Sequence, residues 1–330
     1  MKKILLLAGG GGHTGYAYSL SQYLKESFEL SYYIPEGDYL SEKRLRQFLD
    51  FGDIKFIAKG RDPDSSNFLF PFKFAKALVQ SAFIKKYDLI ISLGSNFCLP
   101  PCFFAWLKHI PIINLECAVR FTRPAKTVDI LKHIALTVIQ WEDQKKILPN
   151  GVKIGVVMPK PEYDPWNGKY LLVTGGSQGH KKLFDLVDKI GLKRVVLHTG
   201  SINNEAYRKH HPEWVIFNDS EDINEDFQHL LAGAEVIVTH FGTTVLEALS
   251  YGKPIVIVVN PEWRRTVGYE DAQLLAERVN GVLLEEMNIP SLLDAIDEAR
   301  KKSNLTFQNG GKNLTRLIVR MLYGQGAIIE

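Results

Sequence analysis

The chain has 330 residues, 45% hydrophobic and 23% charged, with a formal net charge of +3. That length exceeds one ordinary core and suits two domains, and the composition is that of a folded globular protein, not a disordered or fibrous one. The basic residues are dispersed, which argues against a nucleic-acid binder, while mild basicity helps at an anionic membrane surface. Cys98, Cys102 and Cys117 sit in apolar surroundings without zinc-ligand spacing and read as reduced, buried thiols of a cytosolic protein. The N-terminal apolar run meets glycine too soon for a signal peptide. The uncharged stretch 89–107 nears membrane-span length, but Gly94, Ser95, Asn96, Pro100 and Pro101 interrupt it, so it reads as strand, loop and buried helix.

In chain order, strand-like apolar runs fall at 4–8, 30–34, 54–58, 88–93, 110–115 and 135–140. After the segment 149–168, rich in proline, glycine and asparagine, they resume at 170–174, 194–198, 214–217, 235–239, 255–259 and 281–284. Strands alternating with helical stretches predict parallel sheets covered on both faces, hence an α/β chain of two Rossmann-like domains facing across a cleft. The linker divides it into domains 1–158 and 159–330. A final helix carries Leu314, Leu317, Ile318, Met321 and Leu322 at helical spacing, and periodicity leaves open which domain it covers.

Two strands run into glycine loops. The first meets Gly9-Gly10-Gly11-Gly12-His13-Thr14, the second Gly175-Gly176-Ser177-Gln178-Gly179-His180. Glycines allow a tight turn and close backbone approach, and the helix that follows presents free N–H groups to an anion. A nicotinamide site would use Gly10, Gly12 and Gly15 with Glu36, but it has no use for the imidazole of His13. A third signal runs from Thr239 through His240, Phe241, Gly242, Thr243 and Thr244 to Glu247, followed by Gly252-Lys253-Pro254. Thr244 and Glu247 match a capping box; alternatively Thr243, Thr244 and the helix start bind phosphate while Glu247 accepts ribose hydroxyls.

These motifs together resemble the GT-B glycosyltransferases of the MurG kind. The first half is similar to the membrane-recruiting subunit of the eukaryotic dolichol-linked chitobiose-forming transferase. It shares Gly11–Thr14, the run 87–92, the loop 94–100, Leu115-Glu116-Cys117-Ala118-Val119-Arg120 and Val138-Ile139-Gln140-Trp141-Glu142. The second half, from Leu171 to about Leu284, is similar to that enzyme's catalytic subunit, and single-chain fusions in this order are expected in archaea.

The resemblance implies inverting, metal-independent and cofactor-free transfer of N-acetylglucosamine from UDP-GlcNAc to a polyprenyl- or dolichyl-diphosphate-linked sugar. The product is a β-1,4 bond in lipid-linked oligosaccharide assembly for N-glycosylation. His13 and Glu116 are the catalytic candidates, His13 as base. Gly11, Gly12, Thr14, Asn96 and Arg120 would bind acceptor; Gly175, Gly176, Ser177, Gln178, His240, Gly242, Thr243, Thr244 and Glu247 would bind donor. Asp271 and Gln273, beside Glu270, stand near the family's sugar-recognising pair at altered spacing. A glucosyl- or galactosyltransferase of polysaccharide assembly therefore stays open, as does a non-catalytic sugar-nucleotide module. Gln140 and Trp141 would pack near the acceptor.

A lipid-fixed acceptor needs a docking surface. The segment from Phe68 to Lys86 puts Phe72, Ala75, Val79 and Phe83 on one helical stripe and Lys73, Lys76 and Gln80 opposite, with Lys85 and Lys86 beyond. It reads either as a peripheral anchor on the cytoplasmic face of the membrane or as a core helix. A homo-oligomer is compatible with the sequence. Asn304-Leu305-Thr306 and Asn313-Leu314-Thr315 match the glycosylation pattern by chance if the chain faces the cytosol.

Overall fold

The computed structural model describes residues 1–60, 70–220, 226–260, 268–303 and 305–324. The chain forms two compact units, Met1–Pro159 with Phe307–Glu330, and Lys160–Thr306.

The first unit holds β1 (Lys2–Leu7), α1 (Gly12–Leu24), β2 (Phe28–Pro35), α2 (Tyr39–Arg46), β3 (Ile54–Ile57), α3 (Phe70–Ala82) and β4 (Leu89–Ser92). It continues with α4 (Leu99–Leu107), β5 (Ile112–Leu115), α5 (Lys126–Leu131), β6 (Leu136–Ile139) and β7 (Val152–Lys153). The sheet order is β3-β2-β1-β4-β5-β6-β7, and every pairing is parallel. Ile4 through Leu7 and Leu89 through Ile91 are fully buried, as continuous apolar runs must be when helices cover both faces of a sheet. β7 has no counterpart among the expected runs, because its two residues are exposed at the sheet's edge.

The second unit holds β8 (Leu171–Thr174), α6 (Lys181–Asp188), β9 (Val195–His198), α7 (Glu205–His210), β10 (Val215–Phe217), α8 (Phe227–Gly233) and β11 (Val236–His240). Then come α9 (Thr243–Ser250), β12 (Ile255–Val258), α10 (Tyr269–Val279), β13 (Val282–Leu284) and α11 (Ile289–Lys301). Its sheet is also wholly parallel, ordered β10-β9-β8-β11-β12-β13. In both sheets the order reverses beside a strand that feeds a glycine loop: β1 next to β4, and β8 next to β11.

The last helix, α12 (Gly310–Tyr323), belongs to the first unit. It packs on α1, where Asn309 Nδ2 donates to Tyr23 Oη at 2.8 Å and Asn313 Nδ2 to the Ile154 carbonyl at 2.8 Å. Tyr323 stacks on Phe28.

The stretch 89–107 forms β4, a 3₁₀ turn at Asn96–Cys98, and α4 with proline in its first turn. Among the described residues no helix is long and apolar enough to cross a membrane. α4 is not wholly buried, since Phe103, Trp106 and Leu107 face outward. The cysteines are free; Cys98 and Cys102 are buried, and burial pushes the Cys98 thiol up to about 12. Cys117 corrects the expectation: it is half-buried, 3.4 Å from the Tyr16 hydroxyl.

Gly311 is buried in the first turn of α12, and a Cβ there would lie 2.3 Å from Tyr23 Cδ2. In an open helix Gly→Ala stabilises by roughly 1 kcal/mol. Here overpacking against a pinned ring reverses the sign, and Gly311→Ala should cost about 1–3 kcal/mol. Thermal and urea denaturation check this; an unchanged or raised melting temperature contradicts it.

Candidate functional site

In the first unit the register sets Leu7 of β1 beside Ser92 of β4, so the segments leaving these strands lie side by side. They touch closely: a Cβ on Gly9 would fall 2.7 Å from Ser95 Cβ. Gly10 and Gly11 turn the chain with φ of 86° and 54°, in the left-handed region that suits glycine. α1 then starts with no side-chain cap and no acidic residue in its first turn, leaving its orphan N–H groups suited to an anion.

His13 lies in that first turn. Its Nδ1–H donates to the Leu93 carbonyl at 2.6 Å, which leaves the lone pair on Nε2. The ring rests on Gly94, where φ is 98° and a Cβ would approach Cε1 to 2.8 Å. Burial lowers the imidazole pKa to about 4; the Leu93 carbonyl opposes this, and the charges of Lys59 and Arg120 add to it. A neutral imidazole with a free Nε2 is chemically a base.

Lys59 was not among the sequence candidates. A Cβ on Gly10 would be 3.8 Å from its Nζ. Its one legible signal was its place just beyond β3, at the same sheet edge as the glycine loop.

The other first-unit candidates divide. Arg120 bears electrostatically on His13, and half-buried Asn96 opens the 3₁₀ turn after Ser95. Thr14 is buried, its hydroxyl 2.6 Å from Ser41 Oγ, which donates in turn to Asp38. Glu116 is fully buried, its two oxygens accepting the N–H of Cys117 at 2.8 Å and of Ala125 at 2.9 Å. This geometry makes Glu116 the brace of the 117–125 loop. Gln140 and Trp141 brace it too, donating to the Glu116 and Ala118 carbonyls, while Gln144 holds those of Cys117 and Arg120. Glu36, which a dinucleotide site would need, binds Lys76 and Gln80 instead.

In the second unit the loop 175–180 leaves β8 beside β11. Ser177 and Gln178 form its exposed tip. Gly176 and Gly179 have φ of 69° and 74°, and a Cβ on Gly175 would sit 2.4 Å from the His180 nitrogen, so the turn closes only without side chains. His180 caps α6.

After β11 the capping-box expectation is corrected. α9 starts at Thr243 with Gly242 as its cap and no side-chain cap bond, so Thr244 lies too far inside to form the box. The N-terminal N–H groups of α9 thus have no side-chain cap, with Thr243 half-buried and Thr244 and Glu247 buried beside them. His240 donates from Nδ1 to the Val258 carbonyl at 3.2 Å, and its pKa is lowered to about 4 by burial and then by His180. Asp271 is buried as a cap of α10, its Oδ2 accepting the Gly268 N–H at 3.4 Å, whereas Gln273 is exposed. Among the described residues no three His, Cys, Asp or Glu side chains gather as a metal-ligand set.

Known structures share this architecture. An Acinetobacter baumannii MurG crystal structure is 20% identical, with a TM-score of 0.61, covering 97% of this chain and 100% of that one. A Neisseria meningitidis UDP-GlcNAc 2-epimerase bound to UDP-GlcNAc is 14% identical, with a TM-score of 0.63, covering 97% and 99%. The fold alone therefore does not choose between transferase and epimerase. The sequence does: residues 170–318 match the Glycosyltransferase family 28 C-terminal domain. The chain is a glycosyltransferase with a MurG-like fold, and its second half resembles the family 28 C-terminal domain. A Bacillus cereus relative is 27% identical over 329 residues, spanning 85% of this chain and 87% of its own. That protein is named a UDP-N-acetylglucosamine–N-acetylmuramyl-(pentapeptide) pyrophosphoryl-undecaprenol N-acetylglucosamine transferase. In this glycosyltransferase the family match covers the second glycine loop and α9.

For His13 the unfolded chain takes up a proton near 6.5 and the folded chain only near 4. Its contribution to stability is therefore complete above 6.5 and declines as pH falls from 6.5 to about 4. Nitrogen-15 NMR of the imidazole should show the Nδ1–H tautomer unchanged through pH 6.5, where a solvated histidine titrates. A midpoint near 6.5 would remove the half-buried, neutral base.

Proposed function

We propose that the chain transfers N-acetylglucosamine from UDP-GlcNAc to a polyprenyl- or dolichyl-diphosphate-linked GlcNAc, forming a β-1,4 bond with inversion. What carries this reading is the family 28 match over the unit that holds the uncapped α9 start and the second glycine loop. In it the donor's diphosphate meets the N–H groups of α9, Thr243, Thr244 and the 175–180 loop, and Glu247 accepts ribose hydroxyls. The acceptor's diphosphate meets the α1 start, Lys59 and Arg120. Nε2 of His13 takes the proton of the attacking hydroxyl; the new glycosidic bond forms as the anomeric carbon–oxygen bond to UDP breaks, and UDP leaves with the electron pair. The positive end of α9 offsets the leaving charge without a metal.

Incubation with a panel of UDP-sugars and a short-chain prenyl-diphosphate-GlcNAc, with products weighed by mass spectrometry, tests the reaction. Addition of one N-acetylhexosamine from UDP-GlcNAc, undiminished by EDTA, is expected. Addition of glucose or galactose would reassign the donor, and 2-epimerised UDP-sugar without transfer would overturn the reading. His13→Ala should lower turnover about 10²–10⁴-fold with UDP affinity retained, because general-base catalysis contributes on that scale.

Peripheral docking on the cytoplasmic membrane face belongs to the same reading. Phe68 and Leu69 lie outside the described residues, but the α3 stripe is in view and faces outward: Phe72 is 69% exposed, Val79 64% and Phe83 77%. Its polar side faces the unit instead, with Lys76 and Gln80 on Glu36 and Gln80 accepting the Ala58 N–H. α4 packs against α3 and adds exposed Phe103, Trp106 and Leu107. Lys76 and Lys85 already pair with Glu36 and Asp53, so apolar insertion should dominate. Phe72→Ser with Phe83→Ser should abolish co-sedimentation with anionic liposomes while the fold survives. Unchanged binding would locate the docking surface elsewhere.

A further inference from the structure

One buried polar chain in the second unit has no part in the mechanism above. The register places Thr174, the last residue of β8, beside His198, the last of β9, and His198 beside Phe217, the last of β10. Gly176 N–H donates to Thr174 Oγ1 at 3.1 Å, Thr174 Oγ1 lies 2.9 Å from His198 Nδ1, and His198 Nε2 lies 2.8 Å from Asp219 Oδ1. Asp219 accepts only, so Nε2 carries the ring proton in the neutral imidazole and Nδ1 accepts from the threonine. Every donor then points one way, from the glycine loop to a carboxylate at the rim.

Backbone bonds run alongside it. Asp219 N–H donates to the Gly200 carbonyl at 3.0 Å, and Ser201 N–H to the Ser177 carbonyl at 2.8 Å. A Cβ on Gly200 would fall 2.3 Å from the Gly176 oxygen, so the two loops pack backbone to backbone. Thr174 is fully buried and His198 nearly so; in so dry a place hydrogen bonds are strong and a missing partner is costly. The chain thus ties the Gly176 peptide, at the root of the exposed Ser177–Gln178 tip, to the end of a strand two positions away.

We propose that Thr174, His198 and Asp219 are positioning residues for the donor diphosphate: they hold the second glycine loop in the one backbone conformation whose N–H groups can receive it. The inference rests on the reading of this unit as the UDP-sugar site. None of the three touches the donor; they act through the loop.

The test compares Thr174→Val, which keeps the shape and removes the hydroxyl, with Thr174→Ser, which keeps the hydroxyl. UDP affinity is read by calorimetry, the Michaelis constants for donor and acceptor by product mass, and folding by thermal melting. Thr174→Val should weaken UDP binding and raise the donor constant about tenfold with the acceptor constant unchanged, and Thr174→Ser should restore both. Asp219→Ala, at the half-buried end, should move the same two quantities in the same direction and serves if Thr174→Val does not fold. A Thr174→Val protein that binds UDP like the wild type overturns the positioning role and leaves the donor reading standing. A wild-type chain that binds no UDP overturns both.

Discussion

In a parallel sheet every strand points the same way, so the segments leaving the strands' C-terminal ends gather along one edge. Where the strand order reverses, two neighbouring segments head for opposite faces of the sheet and leave a crevice between them. Each candidate site grows from such a reversal. In the first unit it brings the Gly9–His13 segment against Gly94 and Ser95; in the second it sets the 175–180 loop beside the start of α9. Neither arrangement needs long-range coincidence, because the register of two strands places the groups.

Missing side chains make the edges sharp. The imidazole of His13 occupies the space that a Cβ on Gly94 would claim, and the Gly176 carbonyl the space beside Gly200. Glycine weakens a chain entropically, yet here it permits backbone and ring to meet at van der Waals distance. The polar bonds that fix these loops come from below: Leu93 under His13, Thr174 under Gly176, Glu116 under the loop that carries Arg120.

The sheets were legible because buried parallel strands are uninterrupted apolar runs, and the place of His13 at the start of α1 because it follows four glycines at a strand end. Lys59 was not, since a lysine past a short strand looks like any other surface lysine. Spacing also cannot say which side of a helix faces inward. α3 shows the apolar stripe that sequence gives, but Ala77 and Ser81 are its buried residues while Phe72 and, just beyond the helix, Phe83 point away. The Thr244–Glu247 spacing fits a capping box, yet Gly242 is the cap and the pattern falls two positions late. For Glu116 the residue was readable and its hydrogen-bond partners were not, because Ala125 becomes its neighbour only once the loop closes.

The return of α12 to the first unit bears on the order of synthesis. Residues 160–306 form a contiguous unit, complete once they have left the ribosome, whereas the unit that opens with β1 lacks its closing helix until α12 has followed them. Domains generally fold in the order they emerge. Here the unit that starts first finishes last: Tyr23 and Phe28 await Asn309, Gly311 and Tyr323 while the whole second sheet assembles. During that interval the α1 face remains uncovered, which gives a nascent chain of this topology a defined apolar surface for a chaperone to shield.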